Sequence, residues 1–238
     1  MNLFTRTLII SPHFDDETIG CGGLMANLSQ DNKNKIRIVV VANNKDTYNY
    51  NVNRVVSNEE RMEESLKALD ILGVGRENLL QLEGFEDGRL DQVDKKALIT
   101  QLDRQISEFR PTAVLFPYSS HHQDHQAVYQ ASVAALRPTV STNFIKLKAA
   151  YEYPYITTSW NSSMTSNSRL YYPLSKKDIK RKCKALEAYK TQLVRESRDI
   201  LDVSSIINLA KVRGTEIGHY YAEVFYPMSI IAGGSKDV

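Results

Sequence analysis

At 238 residues, 42% hydrophobic and 24% charged, the chain is long enough for one full α/β core. Its formal net charge of +2, with Lys and Arg interspersed among Asp and Glu, argues against nucleic acid as a partner. Two cysteines, Cys21 and Cys183, supply neither a disulfide framework nor a thiolate zinc site and suit a reducing compartment. No apolar run approaches the roughly 20 residues of a membrane span, and the N-terminal run is too short for a secretion signal before it meets His13 and Asp15. The expected location is the cytoplasm, with no integral membrane segment.

Taken in order, Thr7 to Ile10 reads as a buried strand that stops at Ser11-Pro12-His13-Phe14-Asp15-Asp16-Glu17, and Thr18 to Leu28 as the helix after it. Ile36 to Ala42 is a β-branched strand covered on both faces. The polar stretch Asn43 to Asn53, with Tyr48 and Tyr50 interleaved, is expected to be a loop, either a substrate lid or plain surface. Asn58 is the expected cap of a helix carrying Met62, Leu66, Leu69 and Leu72 and ending at Gly73, with Arg61 and Glu64 on its other side. Leu79 to Leu82 gives a short strand, Gly84 to Leu90 a turn-rich loop, Gln92 to Phe109 a helix, and Thr112 to Phe116 a strand that delivers His121-His122-Gln123-Asp124-His125. Beyond residue 136 the pattern is less regular. Strands are expected at Lys146 to Tyr153, Leu170 to Tyr172 and Tyr220 to Phe225, helices at Ser175 to Lys190 and Ser197 to Lys211, and a loop at Thr157 to Ser168. The basic run Lys176 to Lys182 reads as a solvated helix face.

Strand and helix alternate through residue 136, which predicts an α/β, Rossmann-like, mostly parallel sheet with helices on both faces. A single domain is expected, residues 1–136 forming the core and 137–238 completing a pocket. In such sheets ligands bind beyond the carboxyl ends of strands, where both acid/histidine clusters fall. His13, Asp16 and His125 offer the imidazole and carboxylate groups that a catalytic zinc accepts. Asp15 is left to take a proton, and only one of His121 and His122 is expected to face the metal. Cys21 is read as small-residue packing and His219 as structural or at a pocket rim.

These blocks carry a resemblance. Pro12-His13-Phe14-Asp15-Asp16-Glu17 followed by Gly20-Cys21-Gly22-Gly23 resembles the His-Pro-Asp-Asp-Glu signature of the PIG-L/LmbE-like zinc N-deacetylases, and His122-Gln123-Asp124-His125 is similar to that family's His-Pro-Asp-His motif. Arg61 to Glu64, Phe85 to Leu90, Lys184 to Leu186 with Thr191-Gln192, and Arg213-Gly214 before Ala222 to Phe225 continue it. Phe14 and Gln123 stand where the family usually has proline.

The resemblance implies His13, Asp16 and His125 as zinc ligands and Asp15 as general base. It further implies His122 as oxyanion stabiliser or acid and Asp124 as an outer group orienting a histidine. Arg61, Glu64 and Asp87 match positions lining the sugar pocket. The implied activity is removal of the N-acetyl group from an N-acetylglucosamine-type conjugate by a zinc-activated water, an amino-sugar conjugate being the partner and self-association left open. Such a site also accepts Fe2+ or Co2+. Three other readings remain: a zinc amidase for another amide, such as a thiol-sugar conjugate or acylated antibiotic; a non-catalytic sugar-binding module; and a nucleotide-binding Rossmann protein. The last lacks a G-x-G-x-x-G turn directly after its first strand.

Overall fold

A computed structural model describes residues 3–49, 52–154, 168–193 and 199–233. Strands β1 (Arg6–Ser11), β2 (Lys35–Val40), β5 (Leu79–Gln81), β6 (Ala113–Pro117), β7 (Leu147–Tyr151), β8 (Leu170–Leu174) and β9 (Tyr221–Ile230) form one sheet in the order β5-β2-β1-β6-β7-β9-β8. The first five run parallel, while β9 is antiparallel to both β7 and β8. The expected mostly parallel α/β sheet is therefore present, and its irregular C-terminal part adds one antiparallel strand, β9, and beyond it β8, which points the same way as the first five.

Helices α1 (Asp16–Leu28) and α2 (Asn58–Leu72) make the crossovers as the chain walks from β1 to β2 and on to β5. Helices α3 (Lys95–Phe109) and α4 (Gln123–Ala135) make those that return it past β1 to β6 and β7. Right-handed connection puts these two pairs on opposite faces. Packing agrees, because α3 lies on α4, and α1 and α2 share contacts with α5 (Lys176–Leu186). The walk reverses direction at β1. The carboxyl ends of β1 and β6 therefore flank a crevice at the topological switch point, and both acid/histidine clusters begin there.

The sheet is apolar because it is covered twice. Leu8, Ile9, Ile10, Ile38, Val39, Val40, Val114, Leu115 and Phe116 are all fully buried. Helix α1 comes so near the C-terminal strands that its glycines are required. A Cβ at Gly20 would overlap the Tyr151 ring, and one at Gly23 would overlap Leu174.

Several boundaries differ from expectation. The stretch 43–53 is not simply a loop, since β3 (Thr47–Asn49) and β4 (Arg54–Val56) pair as an antiparallel hairpin. Ser57, not Asn58, caps α2, its side chain accepting from the Glu60 amide at 3.1 Å. Asn58 instead accepts from the Asn44 amide at 3.0 Å, tying the hairpin's approach to α2. Asp94 starts α3 later than expected, and α6 spans Val203–Thr215. The basic run is only partly solvated. Lys182 is buried, donating to the Ile19 carbonyl at 2.6 Å and to Glu223 at 2.7 Å, while Arg181 donates to the carbonyls of Ala26 and Ile71. Tyr50 and the Thr157 to Asn167 part of the expected loop lie outside the described residues. Among the described residues no helix is long and apolar enough to cross a membrane.

Candidate metal centre

The turn after β1 and the start of α4 bring the two clusters together. Asp16 Oδ2 stands 3.2 Å from His13 Nδ1 and 3.3 Å from His125 Nε2, and the three residues offer ligand atoms all within 4.8 Å of one another. Asp16 and His125 are almost fully buried. On the far side of the His13 ring, Nε2 lies 2.9 Å from Asp124 Oδ2 and 3.2 Å from Asp87 Oδ1. Asp124 is itself fully buried and accepts from the amides of Gly88 and Leu90 at 2.7 and 2.9 Å. One carboxylate thus binds the 84–90 loop to the imidazole it orients.

This donor set fits a zinc ion. Two imidazoles and a carboxylate are ordinary zinc ligands, and a carboxylate behind a ligating histidine is the usual outer partner. His125 differs from His13: among the described residues its buried Nδ1 has no hydrogen-bond partner, and Tyr153 packs edge-on against the ring, with ring centroids 4.6 Å apart.

Electrostatics separates the acids. Burial opposes ionisation of Asp16, but contacts with His125 and His13 overcome it and hold the carboxyl well below its ordinary range. Asp15 is pushed well above that range, by burial and then by the Asp16 charge. Burial alone would depress His13; hydrogen bonds to Asp124, Asp16 and Asp87 outweigh it and raise the ring well above its usual value. His122 is lowered, by burial first and then by the His13 and His125 rings. His122 also caps α4, its Nδ1 accepting from the Asp124 amide at 3.2 Å. An acceptor at Nδ1 leaves the proton of the neutral ring on Nε2.

An open cavity of about 260 Å³ lies over the cluster, lined by His13, Asp15, Asp16, Asn49, Arg61, Asp87, His122, His125, Tyr153 and Gln192. His122 is the neighbouring histidine that reaches it. Arg61 and Asp87 both line it and pair at 3.2 Å. Glu64 does not. It is buried behind the wall, accepting from the Thr191 amide and hydroxyl at 3.0 and 2.8 Å, and so holds the residue before Gln192. Cys21 is buried in the core, and His219 sits in an exposed turn after α6. Asn49 and Tyr153 were not singled out as site residues by the sequence, although both follow ends of parallel strands, the place where ligand-facing groups are expected. Asn49 fixes the hairpin to the wall by donating to the Thr191 carbonyl at 2.8 Å. Tyr48 pairs with Val55, so pleat alternation turns both away from the Asn49 face, and each is about half exposed.

Comparison with known proteins agrees with the fold. Residues 8–136 match the family model described as PIG-L, GlcNAc-PI de-N-acetylase. The uncharacterized deacetylase YaiS of Escherichia coli (strain K12) is 34% identical over 136 residues, 55% of this chain and 67% of that protein. The zinc-inhibited form of teicoplanin deacetylase Orf2 superposes with a TM-score of 0.74 at 18% identity, covering 97% of this chain and all of that one. The N,N'-diacetylchitobiose deacetylase of Pyrococcus horikoshii does so with a TM-score of 0.69 at 19% identity, covering 94% and 84%. At those identities the structures establish the shared fold, and the matched family model, which spans both motif blocks, carries the assignment: this chain is a member of the PIG-L family of de-N-acetylases.

Proposed function

We propose that the chain is a zinc-dependent N-deacetylase acting on an N-acetylglucosamine-type conjugate. The observation that carries this reading is the division of labour among adjacent acids: Asp16 is drawn into the His13/His125 cluster, while Asp15 faces the same cavity outside it. His13, Asp16 and His125 would hold the metal. Zinc, when bound, supplies Lewis acidity, which lowers the pKa of a water to about 7 and polarises a carbonyl.

The remaining groups have roles of their own. Asp15, with its raised proton affinity, takes the proton of the attacking water as general base. His122 presents its Nε2 proton to the carbonyl oxygen as charge develops there, acting as a neutral donor because burial lowers its pKa. The proton on Asp15 is then available to the departing amine. Arg61 and Asp87 offer a donor and an acceptor to sugar hydroxyls, while Asp124 keeps His13 in register.

Acetate release from a panel of N-acetylglucosaminides tests this, with metal analysis of protein purified without added zinc to distinguish zinc from iron or cobalt. Asp15→Ala is expected to lower turnover by about 100-fold to 10,000-fold, the range for a lost general base, with metal content unchanged. Retained turnover, or loss of metal with Asp15→Ala, would sink the assignment.

A further inference from the structure

Asp15 holds a backbone conformation that L residues rarely adopt, with φ 144° and ψ −32°. Such strain persists only where the surroundings over-determine it. Its side chain makes no capping hydrogen bond to α1. The peptide is pinned instead: the Asp15 carbonyl accepts from the amides of Thr18 and Ile19, both at 2.9 Å, and its N–H donates to Glu17 Oε2 at 3.1 Å.

Glu17 is fully buried and lies outside the cavity lining. Its Oε2 also accepts from Ser11 Oγ at 3.0 Å, and its Oε1 accepts from Tyr189 Oη at 2.8 Å and Ser65 Oγ at 3.2 Å. One carboxylate therefore gathers donors from β1, from the turn carrying Asp15, from α2 and from the segment after α5. A buried acid needed only for packing would not have to receive the one amide that belongs to the strained residue.

We propose that Glu17 is a positioning residue for Asp15: anchored by Ser65 and Tyr189, it holds the Asp15 amide and keeps that side chain turned into the cavity. This rests on the reading of Asp15 as the base. Without the anchor the turn relaxes toward ordinary φ and carries the carboxyl out of line.

The test compares the unsubstituted 238-residue chain with Glu17→Gln, Glu17→Met and the double variant Ser65→Ala/Tyr189→Phe. Crystal structures, amide exchange at Asp15, zinc per chain and steady-state acetate release from N-acetylglucosamine are measured for each. Glutamine can turn its carbonyl to the Asp15 amide and its NH2 to the two hydroxyls, which accept as well as donate. It is expected to recover most of the activity that methionine loses. Glu17→Met is expected to relax the Asp15 φ and to lower kcat about 100-fold, the cost of misplacing a reacting group, with KM and zinc unchanged. The double variant leaves the carboxylate and the turn intact, so it carries the test if Glu17→Met does not fold. It is expected to speed Asp15 amide exchange and lower kcat without moving KM. An unchanged Asp15 φ with unchanged kcat, or Glu17→Gln as impaired as Glu17→Met, would overturn the proposal. Should the wild type release no acetate, the deacetylase reading fails, while Asp15 φ and amide exchange still decide the positioning role.

Discussion

Lys182→Met isolates the ion pair that locks α1 to the C-terminal strands. Lys182 Nζ donates to Glu223 Oε1 at 2.7 Å and to the Ile19 carbonyl at 2.6 Å, and both side chains are nearly inaccessible. Glu223 meanwhile accepts from two consecutive amides in the middle of α1, Gly23 and Leu24, each at 2.7 Å. Methionine fills the space of the lysine stem but leaves a buried carboxylate without its cation and a carbonyl without its donor. Breaking a buried pair from one side costs about 3–5 kcal/mol. The two retained amide bonds argue for the lower end, about 3 kcal/mol, or a Tm lower by about 6–12 °C for a chain of this size. Denaturant titration with an unchanged m-value gives the difference. Adding Glu223→Gln removes the orphaned charge while keeping an acceptor for α1, so the double variant should be more stable than Lys182→Met alone. A loss below about 1 kcal/mol for the single variant, the scale of an exposed pair, would refute the reasoning, as would a double variant no better than the single one.

Three further outcomes are expected. Tyr153→Ala should weaken zinc retention about tenfold, measured by competition with a chelator, because the Tyr153 ring packs edge-on against His125. Gly20→Ala should cost about 1–3 kcal/mol, since its Cβ would stand 2.2 Å from the Tyr151 ring, and Gly22→Ala less, since its Cβ would stand 3.0 Å from the Lys182 stem; thermal melts of the two variants give the comparison. Zinc uptake should release a proton and weaken as pH falls. His13 carries a raised pKa, so it is protonated below that value, and a ligand imidazole must be neutral; calorimetry in buffers of different ionisation enthalpy reads the proton count.

What was legible in the sequence followed from periodicity and strand ends. Leu8 to Ile10 and Ala113 to Phe116 could only be covered strands, so His13 and His125 had to emerge at one edge of a sheet. The hairpin at 47–56 was hidden because its stability comes from hydrogen bonds through Asn44, Asn49 and Asn58, which in sequence look like any polar loop. Lys182 looked like its solvated neighbours because its partner, Glu223, is 41 residues away. Glu64 shares a helix turn with Arg61 and a plausible spacing for the pocket, yet the arrival of Thr191 behind α2 determines where its carboxylate goes. The misread helix starts at Ser57 and Asp94 are local matters of capping, whereas Lys182 and Glu64 depend on contacts between polar groups distant in the chain, for which local patterning carries no signal.

The reversal of strand order at β1 has a consequence for how the proposed metal centre would come into being. His13 and Asp124 are 111 residues apart in the chain, and the contact between them exists only once β6 has docked on β1. Loop-closure entropy prevents an unfolded chain from presenting the set His13, Asp16 and His125 to an ion. A metal bound there therefore selects the folded state, and free ion at about 100 times its Kd would add about 2.7 kcal/mol to the folding equilibrium. Occupancy becomes a reporter of whether the two halves of the sheet have joined.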